Sequence, residues 1–487
     1  MGAIVAVMHK EKQKTSKTVF TMLNELSHRG KNKYAIASTK EQTLANSLEK
    51  LKLETVQSNI VLGDVFSKIL PSDTPQILTT DNCTLVFEGR IYPSSKITDT
   101  ASLVEKLKSN PAQTAKTIIK NYNGDYTFAI ATSDSIIIGR DSMGVVPLYF
   151  GRNKTLCAFA SERKALWKIG LRKVKSFPPG NIAVVRKDAR ILFELVRTIE
   201  QPPLKPLEMD SATKRIQMLL LQSIRDRVSD MREVAVAFSG GLDSSLIAFL
   251  TQKCRVKIQL ITVGLETMPE TVYAEDAAKA LDMPIHVKTY SGGDVEKVLP
   301  KVLWLVEEPD FLKVSIAIPL YWTAEFAATH GLNVLLAGQG ADELFGGYHR
   351  YLNTYAERGT DALRKTLLND VVQCYETNFQ RDNQVCAFHN VELRLPFADM
   401  RIVNFALSLP LHLKIESKKD KLRKRILRKV AQNLELPESI ANKTKKAIQY
   451  TTGVDKALRK LAKRENLNPS DYVRKAFQQT FPDVKQK

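Results

Sequence analysis

Residues Val234–Leu250 read VAVAFSGGLDSSLIAFL: an apolar run, two glycines, an aspartate flanked by serines, and a second apolar run. The first run suits a buried strand and the second opens a helix, so the residues between them form a strand-to-helix loop. Such a loop presents backbone N–H groups at the positive end of a helix dipole. Gly240 and Gly241 let the main chain approach an oxygen-rich anion, and Ser239 and Ser244 add hydroxyl donors. Asp243 is the odd member. A carboxylate beside a phosphate repels it unless a cation lies between them, so the pattern calls for Mg²⁺. No lysine follows the glycines as GxxxxGK[ST] requires, which excludes the loop that hands over a γ-phosphate. The plainer alternative is an ordinary glycine-rich turn.

Outward from this loop the pattern is βαβα. Strands EVAVAF, VKIQLITVGL, PIHVKTY and NVLLAG alternate with helices from Ser244, over AEDAAKALDM and over a long stretch from Asp294. That order predicts a parallel sheet with ligands at the carboxyl ends of its strands, where SGGLDS and GQGADELFGG both begin. From Asp361 onward the chain reads as mainly helical. Before it, Thr198–Asp210 (TIEQPPLKPLEMD) has three prolines and reads as a linker. From Ala3 to about Leu195, many short Val-, Ile-, Tyr- and Phe-rich runs are broken by helix candidates at Ser16–Leu26 and Ala101–Asn121. The expectation is two sheets covered by a few helices. The boundaries are 1–197 for the first domain, 198–210 for the linker and 211–487 for the second domain.

The 487 residues are 44% hydrophobic and 25% charged, enough for two or three cores. Cys83, Cys157, Cys254, Cys374 and Cys386 form no CxxC pair, against a disulfide framework or structural zinc. No apolar run approaches the roughly 18 residues of a membrane span, and no signal-peptide layout opens the chain. A soluble, cytoplasmic protein is expected. The net charge of +20 concentrates in Lys414–Val430, Asn442–Lys446 and Arg459–Arg464. These runs read as solvated helix faces; the alternative is a nucleic-acid surface, and against it no aromatic-interleaved basic patch or zinc knuckle accompanies the charge.

The S-G-G-x-D-S loop resembles that of the PP-loop ATP pyrophosphatases, which split ATP into AMP and pyrophosphate while adenylating a substrate. A second block, Leu335–Tyr351 (LLAGQGADELFGGYHRY), puts Asp342 and Glu343 where they could hold a cation or a substrate ammonium. It resembles the signature of asparagine synthetases. Further blocks keep the family's order: LSHRG, NGDYTFAI, GRDSMGVVPLYFG and FASERKAL in the first half, then ELRLPFAD (Glu392–Asp399), KRILRK (Lys424–Lys429) and KTKKAIQYTTGV (Lys443–Val454). The resemblance covers roughly residues 1 to 455. It implies an N-terminal αββα sandwich of glutamine amidotransferase type, similar to the N-terminal-nucleophile hydrolases, followed by a parallel-sheet PP-loop domain with a helical C-terminal part. It also implies that Ala237, Val263, Ala337 and Gly338 meet the nucleotide. Ser239, Gly240, Gly241, Asp243 and Ser244 would cradle pyrophosphate, Asp243 and Asp342 would hold Mg²⁺, and Lys445 would reach the phosphates; the alternative for Lys445 is one more solvated lysine.

The chain departs from the family in two places. Glutamine-dependent members begin Met-Cys-Gly, the cysteine thiol being the nucleophile; here residue 2 is Gly2. The family's glutamine-gripping arginine falls at Phe66, and its N-G-E turn reads Glu88, Gly89, Arg90. A carboxylate in place of an amide donor opposes oxyanion stabilisation, so the glutaminase is expected to be lost, although Arg29, Gly30 and Asp99 persist. In the second half the usual S-G-E-G reads Ala337, Gly338, Gln339, Gly340, and glutamine accepts no proton at neutral pH. Glu307 or Glu308 could supply a nearby carboxylate.

The resulting expectation is an ATP-dependent amide-forming ligase that adenylates the aspartate side chain and aminates it with ammonia, with Lys445, Gln339, Asp342 and Glu343 as the catalytic set. Its partners would be aspartate, ATP, Mg²⁺ and ammonia, with room for a separate ammonia-supplying protein and for a homodimer. The alternatives are an adenylating ligase for another carboxylate, such as a lactam-forming enzyme, a PP-loop protein acting on RNA, and a non-catalytic regulator.

Overall fold

The computed structural model describes residues 1–93, 100, 103, 107, 110–186, 190–444 and 446–484. Two compact units follow one another, Met1–Thr198 and Ile199–Lys485.

In the first unit, both faces of most strands are apolar because each sheet is covered twice. Along strand Gly2–His9, Ala3, Val5 and Val7 pack on Val19, Met22 and Leu23 of helix Lys12–Glu25, while Ile4, Ala6 and Met8 face a second core with Val86, Ala129 and Ile138. On the far side, Phe87, Phe128 and Ile130 pack on Ile118 and Ile119 of helix Pro111–Asn121. The result is a helix, sheet, sheet, helix stack of a seven-stranded and a six-stranded antiparallel sheet. The first helix starts at Lys12, earlier than Ser16, since its lysine-rich first turn is simply exposed. Of the second candidate, Leu103 and Leu107 are helical and a helix runs over Pro111–Asn121. It is opened by a proline whose fixed φ suits the first helical position and by the Asn110 side chain accepting from Gln113 N–H. The other residues of 101–109, and Asp99, lie outside the described residues.

The second unit holds a five-stranded parallel sheet in the order Ile285–Tyr290, Lys257–Leu265, Glu233–Ala237, Val334–Leu336, Glu392–Arg394. Strand Glu233–Ala237 lies where the strand order reverses, so the loops leaving it and Val334–Leu336 meet at one crevice. The long helical stretch is two helices, Gly292–Val306 and Phe311–Thr329. Glu307 ends the first in a left-handed conformation (φ 60°), Pro309 bars continuation, and Asp310 caps the second by accepting from Lys313 N–H. The proline-rich segment is pinned to the second unit: the Gln201 side chain donates to the Leu407 carbonyl, and Lys205 N–H donates to that of Ser408.

The basic run 414–430 is not a solvated face throughout. Lys414, Arg423, Lys424 and Arg428 are all buried. Helix Arg425–Asn433 packs Ile426, Leu427, Val430 and Ala431 inward, which carries the preceding lysine into the protein with it. No helix among the described residues is long and apolar enough to cross a membrane.

Asp399 anchors helix Met400–Ser408 and meets buried Arg227 and Arg401 of the same unit. Burial would raise its pKa, but hydrogen bonds from Arg401 and the charges of Arg227 and Arg401 outweigh this and hold it well below the usual carboxylate range. A depressed carboxylate contributes stability that is complete above the ordinary value of about 4 and fades as the pH falls below it. Asp399→Asn should therefore cost about 3–5 kcal/mol at neutral pH, having broken a buried pair on one side. Urea unfolding followed from pH 7 to pH 3 should show the gap between wild type and variant narrowing toward acid.

Candidate active site

Ala237 ends its strand, and the chain turns through Ser239, Gly240 and Gly241 into helix Leu242–Gln252. The turn is braced internally: the Ser239 side chain accepts from Gly241 N–H (3.3 Å), Ser239 N–H donates to the Ser244 hydroxyl (3.3 Å), and that hydroxyl donates to the Gly241 carbonyl (3.1 Å). Gly240 is left-handed (φ 63°), and a Cβ there would press on Tyr273 and Ala277 at 2.9 Å. The loop is therefore shaped for backbone donors at a helix N-terminus. Val263 lies near the carboxyl end of the neighbouring strand, two residues past the Ala237–Ile261 pair.

The second glycine loop leaves strand Val334–Leu336 through Ala337, Gly338, Gln339 and Gly340 into the short helix Ala341–Phe345. A Cβ on Gly338 would come within 3.1 Å of the Asp243 Cβ, so the two loops touch. They are also joined by charge. The Lys424 ammonium lies 2.5 Å from Asp243 Oδ2 and 2.6 Å from Asp342 Oδ1.

The other expected groups go elsewhere. Glu343 is buried and accepts from Tyr348 Oη (2.6 Å) and Asn378 Nδ2 (2.8 Å); burial and the nearby Asp342 raise its pKa. Gln339 lies near the buried Asp382 carboxyl, which accepts from Arg381 Nε at 2.7 Å. Burial raises the pKa of Asp382 against the opposing pull of Arg381 and Gln339. Glu308 pairs with Lys313 at 2.5 Å, and Glu307 is buried and accepts from Gln384 at 3.2 Å. Lys445 lies outside the described residues. Its neighbour Lys443 donates to the Ser239 carbonyl (3.4 Å) and sits over the Tyr273 ring, 3.0 Å from its centroid. Burial pushes the pKa of Lys443 down to about 8. Arg428 secures this strand of chain by donating to the Ala441 (2.5 Å) and Lys443 (3.1 Å) carbonyls.

Sequence reasoning missed Lys424, Lys443 and Asp382. The first two stood inside basic runs whose charge pattern looks like solvent-facing helix. The usable signal was the apolar spacing of Ile426, Leu427, Val430 and Ala431, which fixes the helix face and hence that Lys424 enters at its start.

A divalent metal was tested against this donor set. Asp243 and Asp342 offer two hard carboxylate groups that already converge on one positive centre, in keeping with Mg²⁺ sites completed by substrate phosphates and water. Among the described residues there is no cluster of three or more His, Cys, Asp or Glu to form an all-protein cage. The residues fit.

The first unit carries a second constellation. Gly2 has no room for a side chain, because a Cβ there would collide with the Val65 carbonyl. Buried Arg29 donates to the Gly2 carbonyl (2.7 Å), Glu88 (2.7 Å) and Glu162 (3.0 Å), and Glu88 also accepts from Ser161 at 2.6 Å. Arg90 forms a two-pronged pair with Asp73, at 2.6 and 2.7 Å. Burial would raise the pKa of Glu162, but His28, Lys164 and Arg29 outweigh it and hold it well below the ordinary range.

A family model described as asparagine synthase matches residues 215–358 and 352–486, and one described as a glutamine amidotransferase domain matches 1–178. The chain is 31% identical over 523 residues to a Methanocaldococcus jannaschii protein that bears the name of a glutamine-hydrolysing asparagine synthetase, covering 95% of this chain and 96% of that one. A similarly named protein of Dictyostelium discoideum is 24% identical over 99% of this chain and 94% of its own length. Asparagine synthetase B of Escherichia coli is 27% identical, over 69% of this chain and 62% of its own.

The Lys424 link depends on Gly347, where a Cβ would collide with Asp342 Oδ1 and Lys424 Cε. Gly347→Ala should destabilise the second unit by about 1–3 kcal/mol, the usual range for overpacking. Gly292→Ala, whose Cβ would meet nothing within 4 Å, is the control and should leave the denaturation midpoint nearly unchanged.

Proposed function

Given that this chain belongs to the asparagine synthetase family, we propose that it is an ammonia-using ligase that adenylates the side-chain carboxylate of aspartate, and that its glutaminase half is inactive. The observation that carries the first part is the meeting of the two glycine loops, with Asp243 and Asp342 converging on one positive centre at the sheet's crevice.

An oxygen of the aspartate side chain attacks the α-phosphorus of ATP. The bond from that phosphorus to the bridging oxygen breaks, and pyrophosphate leaves. Ammonia then attacks the acyl carbon, the bond to AMP breaks, and the nitrogen loses a proton. The protein's part is mostly positioning and charge stabilisation. Backbone N–H groups around Gly240 and Gly241, with Ser239 and Ser244, hold the outer phosphates, while Ala237, Val263, Ala337 and Gly338 border the nucleoside. Asp243 and Asp342 would hold Mg²⁺, which would supply neutralisation of phosphate charge. Lys443, whose ammonium donates to the Ser239 carbonyl, brings a cation to the side of the loop from which pyrophosphate departs, and Lys445 is the lysine the family resemblance assigns to the phosphates. Gln339 acts as an orienting group beside Asp382 rather than as a proton acceptor.

The inactive glutaminase is supported by three features of the first unit. Position 2 has no space for a thiol-bearing side chain. Glu88 stands where an amide donor is needed, and both of its oxygens are engaged by Arg29 and Ser161. Arg90, in place of a carboxylate that would bind an amine, is neutralised by Asp73.

Purified protein given aspartate, ATP, Mg²⁺ and ammonium should release pyrophosphate and form asparagine, and glutamine should not replace ammonium. Asp243→Ala should lower turnover by about 10²–10³-fold, the loss typical of one preorganised charge-stabilising group. Glutamine-driven turnover would overturn the inactive glutaminase. Pyrophosphate release driven only by some other carboxylic acid would move the acceptor to that acid.

A further inference from the structure

We propose that Lys424 is a built-in counter-ion for the Asp243–Asp342 pair, holding the two loops together in the metal-free chain and excluding free divalent cations until nucleotide arrives. The inference rests on the metal reading of these aspartates given above, and deepens it.

The geometry around Lys424 is specific. One nitrogen lies within 2.6 Å of a carboxylate oxygen from each of two loops that leave neighbouring parallel strands. The residue is 2% exposed, so solvent screening of these contacts is slight. It is also held in an uncommon backbone conformation. Arg423 and Lys424 are consecutive non-glycine residues with φ of 54° and 52°. Such conformations persist only where the surroundings over-determine them, and they gather at functional positions. The surroundings here do so. Asp420 accepts from Leu422 and Arg423 N–H (2.9 and 2.8 Å), Arg428 Nε donates to the Arg423 carbonyl (2.7 Å), and Arg423 Nε donates to the Gly347 carbonyl (2.9 Å). Gly347 in turn lets Asp342 and Lys424 come together, since any side chain there would strike both. A left-handed pair, three sets of bonds and a bare glycine all serve to aim one amine.

An ammonium and Mg²⁺ compete for the same carboxylate pair, because their charges repel and Lys424 already holds one oxygen of each carboxylate. Mg²⁺ also gives up its water reluctantly, so two engaged carboxylates alone are a poor site for it. ATP changes the balance by bringing phosphate oxygens that can ligate the metal and accept the displaced amine. Metal-free, the lysine keeps the mutual repulsion of the aspartates from forcing the two loops apart. With nucleotide it becomes a phosphate-facing cation. Lys424 is thus a positioning residue that couples metal entry to nucleotide entry.

The test uses the full chain and Mn²⁺ as a spectroscopic probe, with free Mn²⁺ counted by electron paramagnetic resonance. Wild type should bind Mn²⁺ weakly without nucleotide and tightly with a non-hydrolysable ATP analogue. Lys424→Gln should bind Mn²⁺ without nucleotide at least about tenfold more tightly than wild type, the scale of one lost charge-assisted contact. Asp243→Asn in the same background should abolish the gain. Unchanged or weaker Mn²⁺ binding by folded Lys424→Gln overturns the proposal. Should that variant fail to fold, melting curves of wild type in rising MgCl₂ without nucleotide decide: no Mg²⁺-specific stabilisation supports exclusion, and a stabilisation that Asp243→Asn removes overturns it. Failure of any acid to drive pyrophosphate release would instead overturn the ligase reading, and leaves the metal-binding result to be read by itself.

Discussion

The second unit depends on electrostatics at a sheet's reversal point. A parallel sheet whose order turns at strand Glu233–Ala237 must bring two strand-to-helix loops side by side at its carboxyl edge. Both loops place a carboxylate in the first turn of a helix, where the dipole favours negative charge. Two carboxylates driven into one crevice repel, so a cation between them is obligatory. Lys424 answers that demand, and much of the local architecture exists to deliver it.

The first unit solves a different problem with the same means. Its interior holds several charged side chains, and unpaired buried polar atoms are costly. Here they are paired: Arg29 with Glu88 and Glu162, Arg90 with Asp73, and Ser161 with Glu88. Such sets are worth little as net stability against an apolar core but are severely disruptive when broken on one side. They give the sandwich a fixed polar interior.

The basic excess of the chain is partly structural. Arg140, Arg227 and Arg394 are fully buried, and Arg428 nearly so. Arg140 donates to the Phe177 and Gly144 carbonyls at 2.7 Å, and Arg428 to four carbonyls around 422–443. Guanidinium forks acting on main-chain oxygens hold irregular segments that no ladder can satisfy. Part of the net charge therefore lies inside the protein, away from any external partner.

The fold class was legible in the sequence because it follows from period. Alternating apolar runs on two-sided sheets, then strand and helix in alternation, leave few architectures. The glycine loop was legible for a local reason: Gly240 and Gly241, beside Asp243, stand between a strand and a helix only a few residues apart. The break at Glu307 was masked because Val302–Val306 and Phe311–Ile318 have continuous helical patterning, and one left-handed residue decides it. Only tertiary structure could tell that Lys424, 181 residues from Asp243, meets it, that Gln339 lies near Asp382, or that Glu343 faces Tyr348 and Asn378. Sequence determines what is written in neighbouring residues; which charge answers which is decided by packing, since Coulomb attraction acts across whatever distance the fold has closed.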